Sequence, residues 1–205
     1  YEYSKRLCSW CVNKKVRFIY ASSASIYGDG SKGFNDSNNL TLEMQPLNPY
    51  GFSKLVFDRW IINNGLTGSV AGMRFFNVFG PNEYHKGAMS SIIYRSFPMA
   101  KKEGVVRLFK SYKKDFPDGG QRRDFIYIKD VLSVTNFLLN NNVCGIFNVG
   151  SGRARSFNDL ADSLLSALGC KKVLKEYFDM PEDIRNKYQY FTEANIESLR
   201  NSGYR

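Results

Sequence analysis

The sequence predicts an α/β fold in which helices pack on both faces of a doubly wound parallel sheet. Two observations lead to this prediction. Helical patterns and short apolar runs alternate along the chain, which is the order of elements that builds such sheets. The runs at residues 16–21 and 69–75 are mostly apolar, as central parallel strands are. The length of 205 residues suits one sizeable domain with a smaller lobe.

The first part of the chain alternates helix and strand. Its second helix has clear boundaries, because Asn48 is a good N-cap, Pro49 suits the first helical position and Gly65 favours the helix end. The predicted elements are a helix over residues 3–13, a strand over 16–21, a polar loop over 28–48, a helix over 50–64 and a strand over 69–75.

The second part of the chain predicts a smaller α/β lobe over residues 81–205, from which residues 123–150 return to the main sheet. Ser156 and Asp159 have the spacing of a capping box, which predicts a helix that runs to Leu168. The other predicted elements are strands over 105–109, 123–130 and 145–150, a charged loop over 111–121, and helices over 87–102, 130–140 and 193–201. The helix over 87–102 is expected to turn four apolar residues inward: Met89, Ile92, Ile93 and Phe97.

The basic composition does not by itself indicate a nucleic-acid partner. The formal net charge is +10, but lysine and arginine are scattered and accompany no recognition helix, RNP-like stretch or zinc-finger spacing. No apolar run is long enough to cross a membrane, and no signal peptide is visible. We therefore expect a cytoplasmic protein with neither nucleic acid nor membrane among its partners.

The cysteines do not predict a metal site. Cys8 and Cys11 have metal or redox spacing, but no second pair follows and the chain has one histidine. A structural zinc site needs four ligands. We therefore predict no metal, and we expect reduced cysteines that lie on a buried helix face.

One stretch carries residues suited to acid–base chemistry. Tyr50 and Lys54 are four residues apart in a predicted helix, so they share one helical face. A neighbouring ammonium stabilises a phenolate, which makes Tyr50 a candidate general acid or base. Ser23 follows the preceding apolar strand. Its hydroxyl can hydrogen-bond the substrate hydroxyl with which Tyr50 would exchange a proton.

The glycine fingerprint of a Rossmann-type dinucleotide-binding domain does not occur in this chain. Such domains normally open with a strand, Gly-x-Gly-x-x-Gly and a helix. The partial match at residues 150–152 lacks the third glycine and predicts a plain strand-to-helix turn. Because the helix–strand alternation of residues 1–80 predicts part of a doubly wound, Rossmann-type sheet, we expect these residues to be the C-terminal part of a dinucleotide-binding domain that lacks its first strands. We expect the chain of 205 residues alone to bind cofactor poorly or not at all and to be inactive.

Seven segments resemble one group of enzymes. Three of them resemble the extended, nucleotide-sugar-modifying branch of the short-chain dehydrogenases and reductases: residues 21–28 (Ala-Ser-Ser-Ala-Ser-Ile-Tyr-Gly), 48–54 (Asn-Pro-Tyr-Gly-Phe-Ser-Lys) and 74–81 (Arg-Phe-Phe-Asn-Val-Phe-Gly-Pro). Four more resemble the narrower family of ADP-L-glycero-D-manno-heptose 6-epimerases: residues 80–91 (Gly-Pro-Asn-Glu-Tyr-His-Lys-Gly-Ala-Met-Ser-Ser), 123–127, 145–154 and 187–192.

The resemblance implies NADP as the cofactor, with NAD as the alternative. It implies that Tyr50 and Lys86 supply acid–base groups on two sides of the reacting carbon, and that Ser23 orients the reacting oxygen. It implies that Lys54 holds the nicotinamide ribose, and that Tyr50, Val78 and Lys86 also contact the cofactor. The contacts that it implies with the ADP-sugar are Asn77, Ala88, Arg95, Phe109, Lys110, Ser111, Tyr112, Arg123 and Tyr188.

The activity that the resemblance implies is epimerisation at C6 of ADP-D-glycero-D-manno-heptose to ADP-L-glycero-D-manno-heptose, for the inner core of lipopolysaccharide. It also implies a homo-oligomer, which is a pentamer in that family. Ala88 and Arg95 stand where the family has serine and histidine, which leaves the sugar contacts open. The alternatives are a UDP-hexose 4-epimerase, a sugar-nucleotide dehydratase or an inactive truncated fragment. The 4-epimerases need no counterpart of Lys86, so this residue separates the two epimerase hypotheses.

Overall fold

The computed structural model describes residues 1–170, 174–185 and 187–205. Its helices are α1 (Glu2–Asn13), α2 (Asn38–Glu43), α3 (Pro49–Asn63), α4 (Ile92–Glu103), α5 (Ile128–Asn140), α6 (Phe157–Ala167), α7 (Glu182–Arg185) and α8 (Glu197–Asn201). Its strands are β1 (Phe18–Ser23), β2 (Val70–Phe75), β3 (Asn77–Phe79), β4 (Val105–Phe109), β5 (Arg122–Tyr127), β6 (Gly145–Val149), β7 (Ala154–Ser156) and β8 (Leu174–Phe178). Short 3₁₀ turns cover Ala24–Tyr27, Leu66–Gly68 and Gly87–Met89.

The central sheet is parallel and has the strand order β1-β2-β6. Helix α3 connects β1 to β2, and the pairing places Ser23 beside Phe75 at the carboxyl ends of these strands. Phe75 pairs in turn with Val149 on β6. Strands β2 and β6 and helix α5 form one core cluster, in which Ala71, Leu138 and Val149 are fully buried. The predicted α/β fold with a parallel sheet is therefore confirmed.

The other strands of the described ranges form two small sheets. In one, β5 pairs in parallel with β3 and antiparallel with β7. In the other, β4 pairs in parallel with β8. Helices α4 and α6 pack on β4, and Ala100, Val106 and Leu165 are fully buried at this contact. The division of the chain into two lobes at residue 80 remains a prediction.

Two helices begin where their capping residues predict. Asn48 Oδ1 accepts a hydrogen bond of 2.8 Å from the N–H of Gly51 at the start of α3. At α6, the Ser156 hydroxyl accepts a hydrogen bond from the Asp159 N–H and the Asp159 carboxylate accepts one from the Ser156 N–H, each of 3.0 Å. These side chains satisfy N–H groups that have no partner within the helix. Both predicted N-caps are confirmed.

The predicted start of α4 is wrong by several residues. Residues 87–89 form a separate 3₁₀ turn, and α4 begins at Ile92. The Ser91 hydroxyl accepts a hydrogen bond of 3.2 Å from the Tyr94 N–H and so caps the helix. Apolar spacing does not reveal the break, because Met89, Ile92 and Ile93 keep the spacing of one helical face across the break.

The predicted inward face of α4 is also wrong in part. Of the four residues expected to point inward, two are half-buried (Ile92 and Ile93) and two are exposed (Met89 at 86% and Phe97 at 43%). The buried positions of the helix are the small residues Ser96 and Ala100. Ala100 shares a core cluster with Ala161 of α6, so small side chains let the two helices approach closely.

Several short elements lie outside the sequence predictions. Helix α2 lies within the predicted polar loop, and β3, β7, β8 and α7 were not expected. Strand β1 begins at Phe18, two residues later than predicted, because a turn with Lys15 at φ 55° follows α1. Elements of three to six residues contain too few positions for a periodic pattern to be recognised.

The Gly-Ser-Gly sequence after β6 forms a turn around a carboxylate. Asp124 accepts hydrogen bonds from the N–H groups of Ser151 (2.6 Å), Gly152 (2.9 Å) and Ala194 (3.0 Å). A Cβ at Gly150 would lie 2.8 Å from this carboxylate, so the close approach requires glycine. The turn leads to strand β7 and not to a helix, so this detail of the prediction is wrong.

The cysteines of α1 lie where the sequence predicts. Cys8 and Cys11 are free thiols on the buried face of the helix. Burial and the neighbouring Cys11 raise the pKa of Cys8 to about 11. In the ranges that the structure describes, no three His, Cys, Asp or Glu side chains are placed to share a metal ion. Among the helices of these ranges, none has the length and hydropathy that crossing a bilayer requires.

Candidate active site

A cleft of about 490 Å³ lies beside the carboxyl ends of β2 and β3. Open α/β sheets bind their ligands at the carboxyl ends of the strands, so this is the expected place for a site. Of the predicted site residues, seven line this cleft: Tyr50, Asn77, Val78, Lys86, Arg95, Arg123 and Tyr188. They are far apart in the sequence and come from α3, β3, α4, β5 and two loops.

Tyr50 and Lys54 occupy the first turns of α3, as the sequence predicts. The Lys54 ammonium lies 5.8 Å from the centre of the Tyr50 ring and donates a hydrogen bond of 3.1 Å to the carbonyl of Ala21 on β1. The Tyr50 side chain is exposed and lines the cleft. A Cβ at Gly51 would lie 2.6 Å from the Ser25 carbonyl oxygen, so glycine allows α3 to pack against the 3₁₀ turn that follows β1.

Ser23 lies at the end of β1 and is buried. Its hydroxyl accepts a hydrogen bond of 3.2 Å from the Ser25 N–H and donates one of 3.2 Å to the Ser25 hydroxyl. Ser23 therefore caps the 3₁₀ turn that follows the strand. The structure places it at the strand end where the sequence predicts it, although it does not line the cleft.

Lys86 lies in the loop that joins β3 to α4, opposite a carboxylate that the sequence analysis did not single out. Its ammonium is 3.8 Å from Glu83 Oε2. Glu83 is buried and also lines the cleft. Burial raises the pKa of Glu83, but hydrogen bonds from Ser91 and Gly80 and the charge of Lys86 outweigh it, so the pKa lies below its ordinary value. The sequence signal that could have indicated this ion pair is the spacing, because Glu83 lies three residues before Lys86.

Arg123 presents a buried guanidinium to the cleft. It lies 4.9 Å from the centre of the Tyr188 ring and 5.8 Å from that of Phe157, and its Nη1 donates to the Arg122 carbonyl at 2.9 Å. In the described part of the chain it pairs with no carboxylate. Burial lowers the pKa of Arg123 and raises that of Tyr188. A stacked cation without an anionic partner suits an anionic ligand.

The remaining predicted substrate residues lie outside this cleft. Phe109 lines an adjoining cavity of about 180 Å³, to which Arg95 and Tyr188 also contribute. The residues after Phe109 turn to acidic neighbours: Lys110 Nζ is 3.3 Å from Asp179 Oδ1, the Ser111 N–H donates to Asp118 at 2.7 Å and the Tyr112 hydroxyl donates to Asp179 at 2.8 Å. Ala88 is exposed in the 3₁₀ turn.

The class of protein follows from the parallel sheet, the cleft at its carboxyl edge and one comparison. A family model described as the NAD dependent epimerase/dehydratase family matches residues 1–150. The chain belongs to this family.

Two similar curated proteins are both named ADP-L-glycero-D-manno-heptose-6-epimerase. The one from Nitratidesulfovibrio vulgaris (strain DP4) is 50% identical over 202 residues, which make up 98% of this chain and 62% of the relative. The one from Fusobacterium nucleatum subsp. nucleatum is 45% identical over 211 residues, covering 98% of this chain and 64% of the relative. The resemblance found in the sequence is confirmed, and the chain spans less than two thirds of these relatives.

Solved structures show the same similarity. The ADP-L-glycero-D-manno-heptose-6-epimerase of Helicobacter pylori superposes with a TM-score of 0.80 and 30% identity, covering 100% of this chain and 59% of that chain. The UDP-glucose 4-epimerase of Thermus thermophilus, solved with NAD, has a TM-score of 0.74 and 23% identity, covering 97% and 62%. The second similarity shows the fold alone.

Proposed function

We propose that the full-length protein is an isomerase that converts ADP-D-glycero-D-manno-heptose to ADP-L-glycero-D-manno-heptose at C6. The observation that carries the proposal is that Tyr50 and Lys86, from two different elements, line one cleft. The curated relatives named as heptose epimerases support the choice of substrate. The product would supply heptose to the inner core of lipopolysaccharide.

Inversion at a carbon that is oxidised and then reduced from its other face needs proton transfer on two sides. Tyr50 begins α3, and Lys86 lies in the loop before α4, so the cleft presents acid–base groups from separate elements. Each would exchange a proton with the C6 oxygen in one of the two orientations of the sugar side chain. A single tyrosine with a rotating sugar would not need Lys86.

The residues of the first turns of α3, beside β1, fit a nicotinamide cofactor. The Lys54 ammonium makes one hydrogen bond to Ala21 and has further N–H groups for ribose hydroxyls. Tyr50 lies on the same helical face, and Val78 and Lys86 line the same cleft as Tyr50. Ser23 would orient the reacting oxygen. The chemistry that such a cofactor supplies when bound is reversible hydride transfer at C6.

The basic and aromatic side of the cleft suits the ADP group. Arg123 offers a guanidinium that can bind phosphate oxygens in bidentate fashion. Arg95 lies nearby and is exposed, and Phe109 and Tyr188 give aromatic surface to the adjoining cavity. Asn77 and Ala88 would contact the sugar, and Lys110, Ser111 and Tyr112 would reach the nucleotide from their loop. We propose an ADP-sugar as the ligand of this surface.

The test uses the full-length protein with ADP-D-glycero-D-manno-heptose, and NMR follows the configuration at C6. We expect the L-glycero epimer to form, with a loss of about 10² to 10⁴ in kcat for both Tyr50→Phe and Lys86→Ala. Tyr94→Phe, a change at an exposed tyrosine of α4, serves as the matched control. Turnover of UDP-galactose with no change in the heptose substrate would favour a 4-epimerase instead. Full activity of Lys86→Ala would overturn the two-group mechanism.

The cofactor and assembly are proposed with the same function. We propose NADP, with NAD as the alternative, and cofactor released from the denatured full-length protein can be identified by mass. We also propose a cytoplasmic homo-oligomer, a pentamer, whose mass light scattering measures directly. The isolated segment of residues 1–205 is expected to be inactive under the same assay.

A further inference from the structure

Glu83 is a buried carboxylate with four donors around it. Its Oε1 accepts hydrogen bonds from the Ser91 hydroxyl at 2.7 Å and the Gly80 N–H at 3.3 Å. Its Oε2 accepts one from the Ser91 N–H at 2.6 Å and lies 3.8 Å from Lys86 Nζ. One carboxylate therefore contacts both ends of the loop from Gly80 to Ser91 and the lysine between them.

Lys86 has little other support within the described structure. Its side chain is 44% exposed, whereas that of Glu83 is 4% exposed. The Lys86 N–H donates a hydrogen bond of 3.0 Å to the Glu83 carbonyl, so backbone and side chain of Lys86 both face the same residue. The fixed, buried partner therefore determines where the exposed ammonium lies.

We propose that Glu83 is a positioning residue that holds the Lys86 ammonium in the cleft. The inference rests on the proposed function, in which Lys86 transfers a proton at C6. Glu83 acts on the reaction only through the position of the Lys86 ammonium.

The charge on Glu83 matters to this role. Its hydrogen bonds and the nearby ammonium keep the carboxylate ionised at neutral pH in spite of burial. A glutamine of the same size keeps one acceptor oxygen but presents N–H groups to the donors of Ser91 or Lys86. Glu83→Gln should therefore release the ammonium.

The kinetic test compares Glu83→Gln with wild type in the full-length enzyme. Small misplacement of a catalytic group costs about 10²-fold, so we expect kcat to fall about 10- to 100-fold with KM nearly unchanged. Glu83→Asp keeps the charge and should recover part of the loss. Glu103→Gln is the matched control, because its carboxylate also lies 3.8 Å from a lysine, Lys102, but is exposed at the end of α4.

A second comparison separates positioning from loop folding. In a Lys86→Met background, adding Glu83→Gln should leave kcat unchanged, because the partner is already absent. A further fall in kcat in the double variant would overturn the proposal. Wild-type kcat in Glu83→Gln would also overturn it, provided that Lys86→Met is impaired. Full activity of Lys86→Met would instead overturn the proposed proton-transfer role of Lys86, on which the inference rests. Thermal unfolding identifies any variant that fails to fold.

A third measurement does not depend on activity. An amine reagent modifies lysines, and peptide mass spectrometry gives the rate at each one. We expect Glu83→Gln to raise the rate at Lys86 several-fold relative to wild type, with exposed Lys102 as the internal reference. An unchanged rate at Lys86 would overturn the proposal. This result has the same meaning whether or not the substrate assignment is correct.

Discussion

The guanidinium of Arg74 on β2 donates a hydrogen bond of 2.9 Å to the carboxylate of Asp58 on α3, and both side chains are fully buried. Arg74 also donates to the hydroxyls of Tyr27 at 3.1 Å and Thr41 at 2.7 Å. One cation therefore joins β2 to α3, to α2 and to the turn after β1. Because α3 carries Tyr50, this contact holds one wall of the cleft.

Arg74→Met should destabilise the protein strongly. Removing the cation leaves Asp58 buried without its charged partner, which costs about 3–5 kcal/mol in free energy of unfolding. Urea unfolding of the full-length protein measures the loss. Arg107→Met is the control, because the ion pair of Arg107 with Glu176 at 2.8 Å is exposed and contributes about 1 kcal/mol or less. Equal losses in the two variants would contradict the prediction.

Asp159→Asn should reduce stability only where the carboxylate is ionised. The hydrogen bond from the Ser156 N–H is the largest cause of the lowered pKa of Asp159, and burial opposes it. A lowered folded-state pKa stabilises above the ordinary aspartate pKa of about 4, and the stabilisation is lost as pH falls through the lowered value.

We therefore expect Asp159→Asn to cost about 0.5–1 kcal/mol at pH 7, the range for exposed helix caps, and less below about pH 4. Urea unfolding at pH 7 and at pH 3 checks this. Asp115→Asn, in an exposed loop outside the helices, should show no such dependence. A cost for Asp159→Asn that stays constant from pH 7 to pH 3 would disprove the assignment to the ionised cap.

Arg123→Lys should weaken binding of the ADP-sugar. Lysine cannot form the bidentate contact or the planar stack on Tyr188. A hydrogen bond to a charged group contributes about 1.5–3 kcal/mol, so Kd for ADP should rise about 10- to 100-fold, as calorimetry would show. Arg122→Lys is the matched control, because Arg122 precedes it on β5 and is exposed on the other face. Equal affinities of the two variants for ADP would contradict a role of Arg123 in ADP binding.

Cys8 should resist alkylation in the folded protein. The thiolate is the reactive form, and burial raises the pKa of Cys8 to about 11. With iodoacetamide at pH 8, we expect labelling of Cys8 to be about tenfold or more slower than that of half-buried Cys144. Peptide mass spectrometry gives both rates. Urea should remove the difference, and a persistent difference would point to a cause other than burial.

The features that depend on neighbours along the chain could be predicted from the sequence. The N-cap at Asn48 and the capping box at Ser156 and Asp159 need only the residues three positions away. The spacing of Tyr50 and Lys54 is fixed by the helical repeat. The limits of β4 agree with the strand predicted over residues 105–109. Segment-by-segment resemblance indicated the family, which the comparisons confirmed.

The set of distant residues that share a cleft depends on how the chain packs in three dimensions. Arg123 and Tyr188 are separated by most of the second part of the chain, and their stacking follows from how β5 and the later loop pack. The buried face of α4 depends on where Ser91 starts the helix and on its contact with α6. The role of Glu83 depends on burial, which composition does not reveal. Local signals arise from short-range hydrogen bonds and helical geometry, whereas burial and long-range contacts arise from packing of the whole chain.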